Sequence, residues 1–248
     1  MLPAINWAHD LATLAAAHGQ RVAATDGAHE LSYTGLAGLA GSLARHLRSA
    51  GIAPGAPVAT CLRNGLPAFW GSVGVKISGA AETALNPAFS PAERRHCLDL
   101  AGVKHVVTTH AEAPFFTALG LATTAIEDIA SSASLDMLRG LPPVPDEAWA
   151  RISFTSGTTG RPKAIVHTQR QRWIANLLQR ASFAHMPGPG SRVLLMTPFT
   201  HGAGLIAHAF LDHGASAVLL DGVDLPAVER LLAGGGRMAI GLTISDLP

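Results

Sequence analysis

The chain contains the stretch Phe154-Thr155-Ser156-Gly157-Thr158-Thr159-Gly160-Arg161-Pro162-Lys163, which brings four hydroxyls, two glycines and one lysine together. A strand-like segment, residues 151–154, precedes it, and a helix-compatible run begins near His167. Glycines let the backbone turn tightly and bring its N–H groups close to a ligand, and successive N–H groups in such a turn form a nest for anions. Since the hydroxyls add donors and Lys163 adds a mobile positive charge, the segment predicts a polyphosphate site.

Two simpler interpretations of this loop have to be weighed. A Walker A motif needs Gly-Lys-[Ser/Thr] after a four-residue spacer, but here Arg161 and Pro162 separate Gly160 from Lys163, and Ala164 follows the lysine. A surface turn rich in Ser, Thr and Gly, with Lys163 merely solvated, is the other possibility. Neither interpretation accounts for the order of the residues.

Position by position, the loop resembles Thr-Ser-Gly-Thr-Thr-Gly-x-Pro-Lys, the phosphate loop of the adenylate-forming (AMP-binding) superfamily. That superfamily includes acyl-CoA synthetases, adenylation domains of peptide synthetases and luciferases. Nine positions in order rarely arise in an ordinary surface turn, which favours the family interpretation. The resemblance implies that the β- and γ-phosphates of ATP are held by Thr155, Ser156, Gly157, Thr158, Thr159, Gly160 and Lys163.

The composition of the chain excludes several classes of protein. The chain has 248 residues, of which 48% are hydrophobic and 14% are charged, and this excludes general disorder. A net charge of +1 gives no indication of nucleic acid or of an anionic membrane as a partner. Cys61 and Cys97 are too few for a disulfide framework, so a cytoplasmic location is expected. The most apolar window, residues 202–220, carries His208 and Asp212 and is expected to be a buried helix and strand rather than a membrane span.

Strand and helix patterns alternate along the chain. Helices are predicted at 36–47, 67–78, 91–101, 168–183, 203–212 and 225–233, and strands at 58–62, 80–85, 103–109, 151–155, 192–197, 215–220 and 237–243. This alternation predicts an α/β fold of layered, largely parallel sheets flanked by helices. We expect residues 1–140 to form an N-terminal α/β subdomain, 141–150 a proline-rich linker, and 151–248 a segment that carries the phosphate loop.

The resemblance extends beyond the loop. Residues 31–36 are similar to the family's early Leu-[Thr/Ser]-Tyr-x-x-Leu segment, and residues 79–87 to Gly-Ala-x-x-x-x-Leu-Asn-Pro. Residues 198–204 are similar to Pro-[Leu/Met]-[Phe/Tyr]-His-x-x-Gly, which implies that His201 and Gly204 line the acyl and adenylate pocket. The chain departs at Thr200, where the family usually has an aromatic residue. Taken alone, His201 would be read as an ordinary loop histidine.

Residues 201–221 also contain patterns typical of two other kinds of site, a dinucleotide site and a zinc site. Residues 202–207 fit Gly-x-Gly-x-x-[Gly/Ala], and Asp221 follows at the distance that a Rossmann site for NAD requires. However, residues 198–201 separate the preceding strand from Gly202, whereas a Rossmann turn enters its first glycine directly, and the NAD interpretation leaves the 155–163 loop unexplained. His201, His208 and His213 lack the i, i+4 spacing of a zinc helix, so no metal site is predicted.

The family resemblance also implies a reaction. A carboxylate attacks the α-phosphorus of ATP to give an acyl-adenylate and pyrophosphate, with Mg²⁺ as the metal cofactor. In acyl-CoA synthetases the thiol of CoA then displaces AMP. The implied partners are therefore a carboxylic acid, ATP and CoA, with neither nucleic acid nor a membrane involved. The sequence does not indicate which carboxylic acid is used.

The family pattern is only partly present in these residues. The Tyr-Gly-x-[Thr/Ser]-Glu segment for magnesium, the Tyr-x-[Thr/Ser]-Gly-Asp segment for the ribose and the C-terminal domain with its lysine are missing. We therefore expect an incomplete fragment that carries the ATP-phosphate loop, with no complete catalytic set and with the missing portion as a potential partner. The alternative is a non-catalytic remnant that binds nucleotide weakly or acts as a partner module.

Overall fold

The computed structural model describes residues 4–130, 134–155, 163–197, 203–233 and 238–241. Within them the chain forms two mainly parallel sheets. The five-stranded sheet has the order β11-β9-β10-β1-β2 and is parallel except for the β1–β2 pair. Its strands are β1 (Val22–Thr25), β2 (Glu30–Ser32), β9 (Arg192–Leu195), β10 (Ser216–Leu219) and β11 (Met238–Gly241).

The six-stranded sheet has the order β6-β5-β3-β4-β7-β8 and is parallel except for the β7–β8 pair. Its strands are β3 (Pro57–Thr60), β4 (Ala81–Ala84), β5 (His105–Thr108), β6 (Ala122–Ala125), β7 (Trp149–Thr155) and β8 (Lys163–Thr168). Parallel neighbours need crossover connections, and helices supply most of them here. The predicted α/β class, with largely parallel sheets flanked by helices, is confirmed.

Helices and two short 3-10 turns, Ile126–Asp128 and Leu135–Leu138, complete the described elements. The helices are α1 (Trp7–His18), α2 (Tyr33–Ser49), α3 (Leu66–Ser78), α4 (Pro91–Ala101), α5 (Ala113–Ala118), α6 (Gln169–Ala181), α7 (Ala203–Leu211) and α8 (Leu225–Ala233). No helix in the described ranges is both long enough and apolar enough to cross a membrane.

Helices α2 and α3 join the two sheets. α2 contacts β1 and β2, whereas α3 contacts β3 and β4. The two helices lie against each other so closely that a Cβ on Gly74 would come within 2.8 Å of Leu43 Cδ2 and 3.1 Å of the Ala40 carbonyl oxygen. Glycine at this position therefore permits a backbone-to-side-chain approach that a larger residue would block. Val58 of β3 and Val193 of β9 belong to one continuous buried cluster with these helices.

Local signals in the sequence located several elements correctly. α4 begins with the expected capping box, in which Ser90 Oγ accepts from the Glu93 amide at 3.3 Å and Glu93 Oε2 accepts from the Ser90 amide at 2.8 Å. It ends at Gly102 in the left-handed conformation, and α8 has the predicted bounds. The segment after the loop differs from expectation, because residues 163–168 form strand β8 before α6 begins.

The proline-rich segment 141–150 is packed against the rest of the chain. The Val144 amide donates to the Ile5 carbonyl at 2.9 Å, and the amides of Gln169 and Arg170 donate to the carbonyls of Ala148 and Asp146. Both sheets take strands from either side of this segment. The division into residues 1–140, 141–150 and 151–248 stays a prediction.

Candidate functional site

The β7–β8 hairpin presents the two ends of the phosphate loop side by side. Thr155, the last residue of β7, pairs with Lys163, the first residue of β8, so residues 156–162 connect two adjacent strand ends. β7 runs parallel to β4, which places this connection at the carboxyl edge of the six-stranded sheet. Ligands of open α/β sheets bind at that edge. The Lys163 side chain is exposed there and is available to a ligand.

Most residues of the predicted phosphate loop lie outside the described part of the chain. This applies to Ser156, Gly157, Thr158, Thr159 and Gly160, and for Thr155 only the backbone is described. His201 also lies outside the described residues, whereas Gly204 is buried in the first turn of α7. The roles predicted for these residues therefore stay predictions.

Contacts between the two sheets bring their carboxyl edges together. Arg63, which follows β3, forms an ion pair with Asp221, which follows β10, at 2.6 Å. The neighbouring Asn64 Nδ2 donates to the Leu220 carbonyl oxygen at 2.6 Å. Because β7 lies two strands from β3 and β9 lies beside β10, the chain leaves β7 and β9 towards the same side of the molecule. These contacts hold the carboxyl ends of β3 and β10 together.

The same contacts bear on the NAD interpretation. Asp221, the acidic residue that a Rossmann site would need for the ribose, is occupied by Arg63, since both the Nε and the NH2 group of Arg63 donate to Asp221 Oδ2. Gly204 lies within a helix rather than in a strand-to-helix turn. Nothing in the described geometry favours a dinucleotide site.

A buried ion pair lies in the sheet behind the loop. Glu82 of β4 and Arg151 of β7 are paired in register, and Arg151 NH1 donates to Glu82 Oε2 at 2.6 Å, with each side chain only 7% exposed. The Glu82 carboxylate also accepts from Thr60 Oγ1 at 3.1 Å and from Ser72 Oγ at 2.9 Å. Buried charges require partners of this kind. Because Arg151 precedes Thr155 by four residues, the pair fixes β7 directly behind the loop.

Further cations surround this pair. Burial, followed by the charge of Arg151, lowers the pKa of Arg172 to about 10, although Glu82 acts in the opposite direction. Burial also lowers the pKa of Lys76 to about 8, and Lys76 Nζ lies 3.9 Å from the centroid of the Trp7 ring. This group could not be predicted from the sequence, because Glu82 and Arg151 are 69 positions apart. The one available signal was a charged residue within each of two predicted buried strands.

His208 of α7 is buried beside these cations. Burial is the main cause that holds its pKa well below the usual value, and the charges of Lys76, Arg172 and Arg151 add to it. Below about pH 6.5 the unfolded chain binds a proton at this histidine that the folded chain does not, so folding becomes less favourable as pH falls. Above that pH the histidine is neutral in both states and contributes no slope.

We therefore expect acid sensitivity that depends on His208. Between pH 7 and pH 5 this one group should lower the free energy of unfolding by at most about 2 kcal/mol, because the slope for one proton is at most about 1.4 kcal/mol per pH unit. Urea unfolding at both pH values should show that difference reduced in a His208→Gln variant, with His185→Gln at an exposed position as the matched control. An unchanged pH dependence in His208→Gln would contradict this account.

The donor set at the carboxyl edge can be compared with what ATP requires. An exposed ammonium at Lys163 beside a glycine-rich connection suits phosphate oxygens. Magnesium instead prefers carboxylate oxygens and water, and no group of three or more acidic, histidine or cysteine side chains that could hold a metal ion occurs among the described residues. Within the described ranges, Lys163 is thus a group suited to phosphate, and no set of side chains there is suited to magnesium.

Comparison with known proteins identifies a family and several relatives with similar sequences. The profile of the AMP-binding enzyme family matches residues 11–235. A sulfoacetate–CoA ligase from Cupriavidus necator is 33% identical over 207 residues, which cover 78% of this chain and 40% of that protein. The phosphinothricin tripeptide synthetase PhsC from Streptomyces viridochromogenes is 32% identical over 214 residues, which cover 81% of this chain and 19% of that protein. The chain thus spans less than half the length of these relatives.

Solved structures show the same fold at lower sequence identity. The o-succinylbenzoate CoA synthetase of Bacillus subtilis, in complex with ATP and magnesium ion, aligns with a TM-score of 0.76 and 18% identity, covering 95% of this chain and 62% of that chain. The N-terminal subdomain of Klebsiella oxytoca NpsA, in complex with 3-hydroxybenzoyl-AMSN, aligns with a TM-score of 0.74 and 19% identity, covering 97% and 60%.

Proposed function

The chain belongs to the AMP-binding enzyme family, and we propose that it holds the phosphates of ATP in an enzyme that activates carboxylic acids as acyl-adenylates. The observation that carries this proposal is the β7–β8 hairpin, which places Lys163 opposite Thr155 at the carboxyl edge of the sheet. The connection between them has the complete Thr-Ser-Gly-Thr-Thr-Gly-x-Pro-Lys sequence. A polyphosphate bound there would meet backbone N–H groups, hydroxyls and one ammonium.

In the proposed reaction a carboxylate oxygen bonds to the α-phosphorus of ATP. The bond from that phosphorus to the bridging oxygen breaks, and pyrophosphate leaves with the electron pair. Attack of the CoA thiol on the acyl carbon then releases AMP and gives a thioester. This chemistry depends mainly on positioning and on charge stabilisation.

Residues of this chain have distinct proposed roles. The β- and γ-phosphates are held by the hydroxyls of Thr155, Ser156, Thr158 and Thr159 and by the N–H groups around Gly157 and Gly160. Lys163 offsets the negative charge on the departing pyrophosphate, while His201 and Gly204 line the pocket for the acyl group and the adenylate. Mg²⁺ would neutralise phosphate charge when bound.

The 248 residues supply only part of the catalytic set. Tyr33 is the sole tyrosine, so neither the Tyr-Gly-x-[Thr/Ser]-Glu segment nor the Tyr-x-[Thr/Ser]-Gly-Asp segment is present. We propose that turnover needs the functions of these segments from a further polypeptide portion. The relatives are named a sulfoacetate–CoA ligase and a phosphinothricin tripeptide synthetase, and these two names do not point to one common acid. We also propose a cytoplasmic location, because both cysteines, Cys61 and Cys97, are free and buried.

Two measurements on the 248-residue chain test the proposal. Calorimetric titration should detect binding of ATP and of pyrophosphate but not of NADH. Carboxylate-dependent exchange between ATP and labelled pyrophosphate should be absent without the remaining catalytic groups. Failure to bind ATP at millimolar concentration would favour the non-catalytic alternative, whereas exchange by the chain alone would overturn the proposal that it is incomplete.

A further inference from the structure

A cavity of about 410 Å³ opens between helices α1, α3, α6 and α7. Its volume lies within the range of small-molecule sites, which is about 300–1,000 Å³. Apolar and aromatic side chains form its walls, and polar groups from each of these elements face it. Its lining includes Trp7, Leu11, Leu14, Val73, Trp173 and Leu211 among the apolar residues, and Asp10, Lys76, Asn176, Arg180, His208 and Asp212 among the polar ones.

Topology places this cavity away from the phosphate loop. Lys76 lies in the last turn of α3, which leads to the start of β4, and Asp212 follows α7 and leads to the start of β10. The Trp7 indole donates to Gln169 Oε1 at 2.8 Å, and Gln169, the first residue of α6, directly follows the end of β8 that is distant from Lys163. The cavity therefore adjoins the amino ends of the parallel strands, whereas residues 156–162 leave from their carboxyl ends.

Donors without partners face this cavity. Lys76 Nζ is stacked 3.9 Å from the Trp7 ring centroid and has no carboxylate at ion-pair distance within the described ranges. The Nε of Arg180 is buried and has no hydrogen-bond partner, although its NH1 lies 3.6 Å from Asp212 Oδ2. Buried polar groups are normally hydrogen-bonded, and each exception requires an explanation.

Acceptors without partners face the same space. Asn176 is only 7% exposed, and its Nδ2 donates to Asp212 Oδ2 at 2.6 Å, which fixes the orientation of the amide. Its Oδ1 is left buried with no donor. Asp10, an exposed residue that also lines the cavity, makes no side-chain hydrogen bond or ion pair with other described residues, and partial burial raises the pKa of its carboxyl. Burial raises a carboxyl pKa because it disfavours the charged form.

From this arrangement we propose that the cavity is a second ligand site, which binds a free α-amino acid with an apolar side chain. The ligand carboxylate accepts from Lys76 and Arg180, and the ligand ammonium donates to Asn176 Oδ1 and Asp10. The apolar side chain then packs between Trp7 and Trp173. A single zwitterion satisfies both kinds of unpartnered group at once.

Ligands of one charge satisfy only half of the site. An inorganic anion or a simple fatty carboxylate would leave the buried Asn176 Oδ1 without a donor and would place no cation beside the Asp10 carboxylate. An organic cation would leave Lys76 and Arg180 without an acceptor and would meet their positive charge. The two tryptophans and the aliphatic wall require an apolar group as well, which excludes glycine as the preferred ligand.

Three ligands of matched shape test the proposal on the 248-residue chain. These are L-leucine, 4-methylpentanoate, which lacks the amine, and 3-methylbutylamine, which lacks the carboxylate. At a hundredfold excess over its Kd, leucine should raise the Tm by about 5 °C or more. Calorimetry should give affinities at least tenfold weaker for the two analogues, because each leaves unpaired groups in the site.

Variants locate the binding site. Lys76→Met keeps the apolar stem and should weaken leucine binding at least tenfold, whereas Lys104→Met, at an exposed lysine outside the cavity, should not. Lys163→Ala should weaken ATP binding and leave leucine binding intact, which separates this proposal from the proposed function. If Lys76→Met does not fold, Arg180→Gln tests the same contact from α6.

Several results would overturn the proposal. They are no binding of leucine, phenylalanine or methionine up to 50 mM, equal binding of leucine and 4-methylpentanoate, or leucine binding that is insensitive to both Lys76→Met and Arg180→Gln. In the last case the amino acid would be binding elsewhere, for instance at the proposed acyl pocket at the opposite edge of the strands.

Discussion

Replacement of Lys163 with alanine is expected to weaken ATP binding by about 10- to 100-fold, since a hydrogen bond to a charged group contributes about 1.5–3 kcal/mol. Lys163 is exposed at the first position of β8, directly across from Thr155, and no described carboxylate pairs with it. Because the side chain is exposed and pairs with no described carboxylate, the free energy of unfolding should change by less than about 0.5 kcal/mol. Calorimetric titration with ATP measures the effect.

The nucleotide series shows which phosphates Lys163 contacts. If the lysine faces the β- and γ-phosphates, Lys163→Ala should weaken ATP and pyrophosphate binding alike and leave AMP binding nearly unchanged. Lys163→Arg, which keeps the charge, should retain much of the affinity, and Lys104→Ala is the control for loss of an exposed lysine. An equal loss for ATP and AMP would place the lysine near the α-phosphate or the nucleoside, and unchanged ATP affinity would remove it from the site.

The part of the site that sequence could predict is the part that is local in the chain. The loop motif at 155–163 is contiguous, so its residues could be assigned phosphate-binding roles before any fold was known. Its place at the carboxyl edge followed from the strand that precedes it. The hairpin was missed, because β8 has no strong alternating pattern and a helix begins immediately after it at Gln169. Pairing with β7, which is tertiary context, decides its conformation.

Elements with sharp end signals were also predictable. Ser90, Pro91 and Glu93 define the start of α4 through short-range geometry, and Gly102 defines its end. By contrast, β1 and β2 are short strands of four and three residues, and β1 is rich in alanine. β1 pairs with β10, almost 200 positions further along the chain, and β2 is added at the edge of the sheet by pairing with β1. A pattern within one short segment carries no information about such a partner.

The buried polar groups could not be predicted from the sequence for the same reason. Sequence places Glu82 in a strand and Arg151 in another, but only the sheet order β4–β7 puts them in register. The cavity at the amino ends of the strands likewise draws its polar groups from α1, α3, α6 and the end of α7. None of these residues stands in a recognisable motif. Their common environment exists only in the folded molecule.

Glu82 is where we expect the largest effect on stability. Glu82→Ala removes the carboxylate that accepts from Arg151, Thr60 and Ser72. The guanidinium of Arg151 then stays buried without this partner and close enough to Arg172 for their charges to interact. Loss of one partner of a buried ion pair costs about 3–5 kcal/mol, which is a large part of the 5–15 kcal/mol that stabilises a typical domain.

Two further variants separate the ion pair from general effects of mutation. Asp221→Ala breaks the exposed pair with Arg63, in which the two side chains are 48% and 82% exposed, and should cost less than about 1 kcal/mol. The double variant Glu82→Leu/Arg151→Leu removes both buried charges and should be more stable than Glu82→Ala, since the guanidinium that loses the Glu82 carboxylate is removed as well. Urea unfolding gives all three values. If Glu82→Ala costs no more than Asp221→Ala, the buried pair does not stabilise β7. In that case the backbone pairing of β7 with β4 and β8, rather than the ion pair, holds β7 in place.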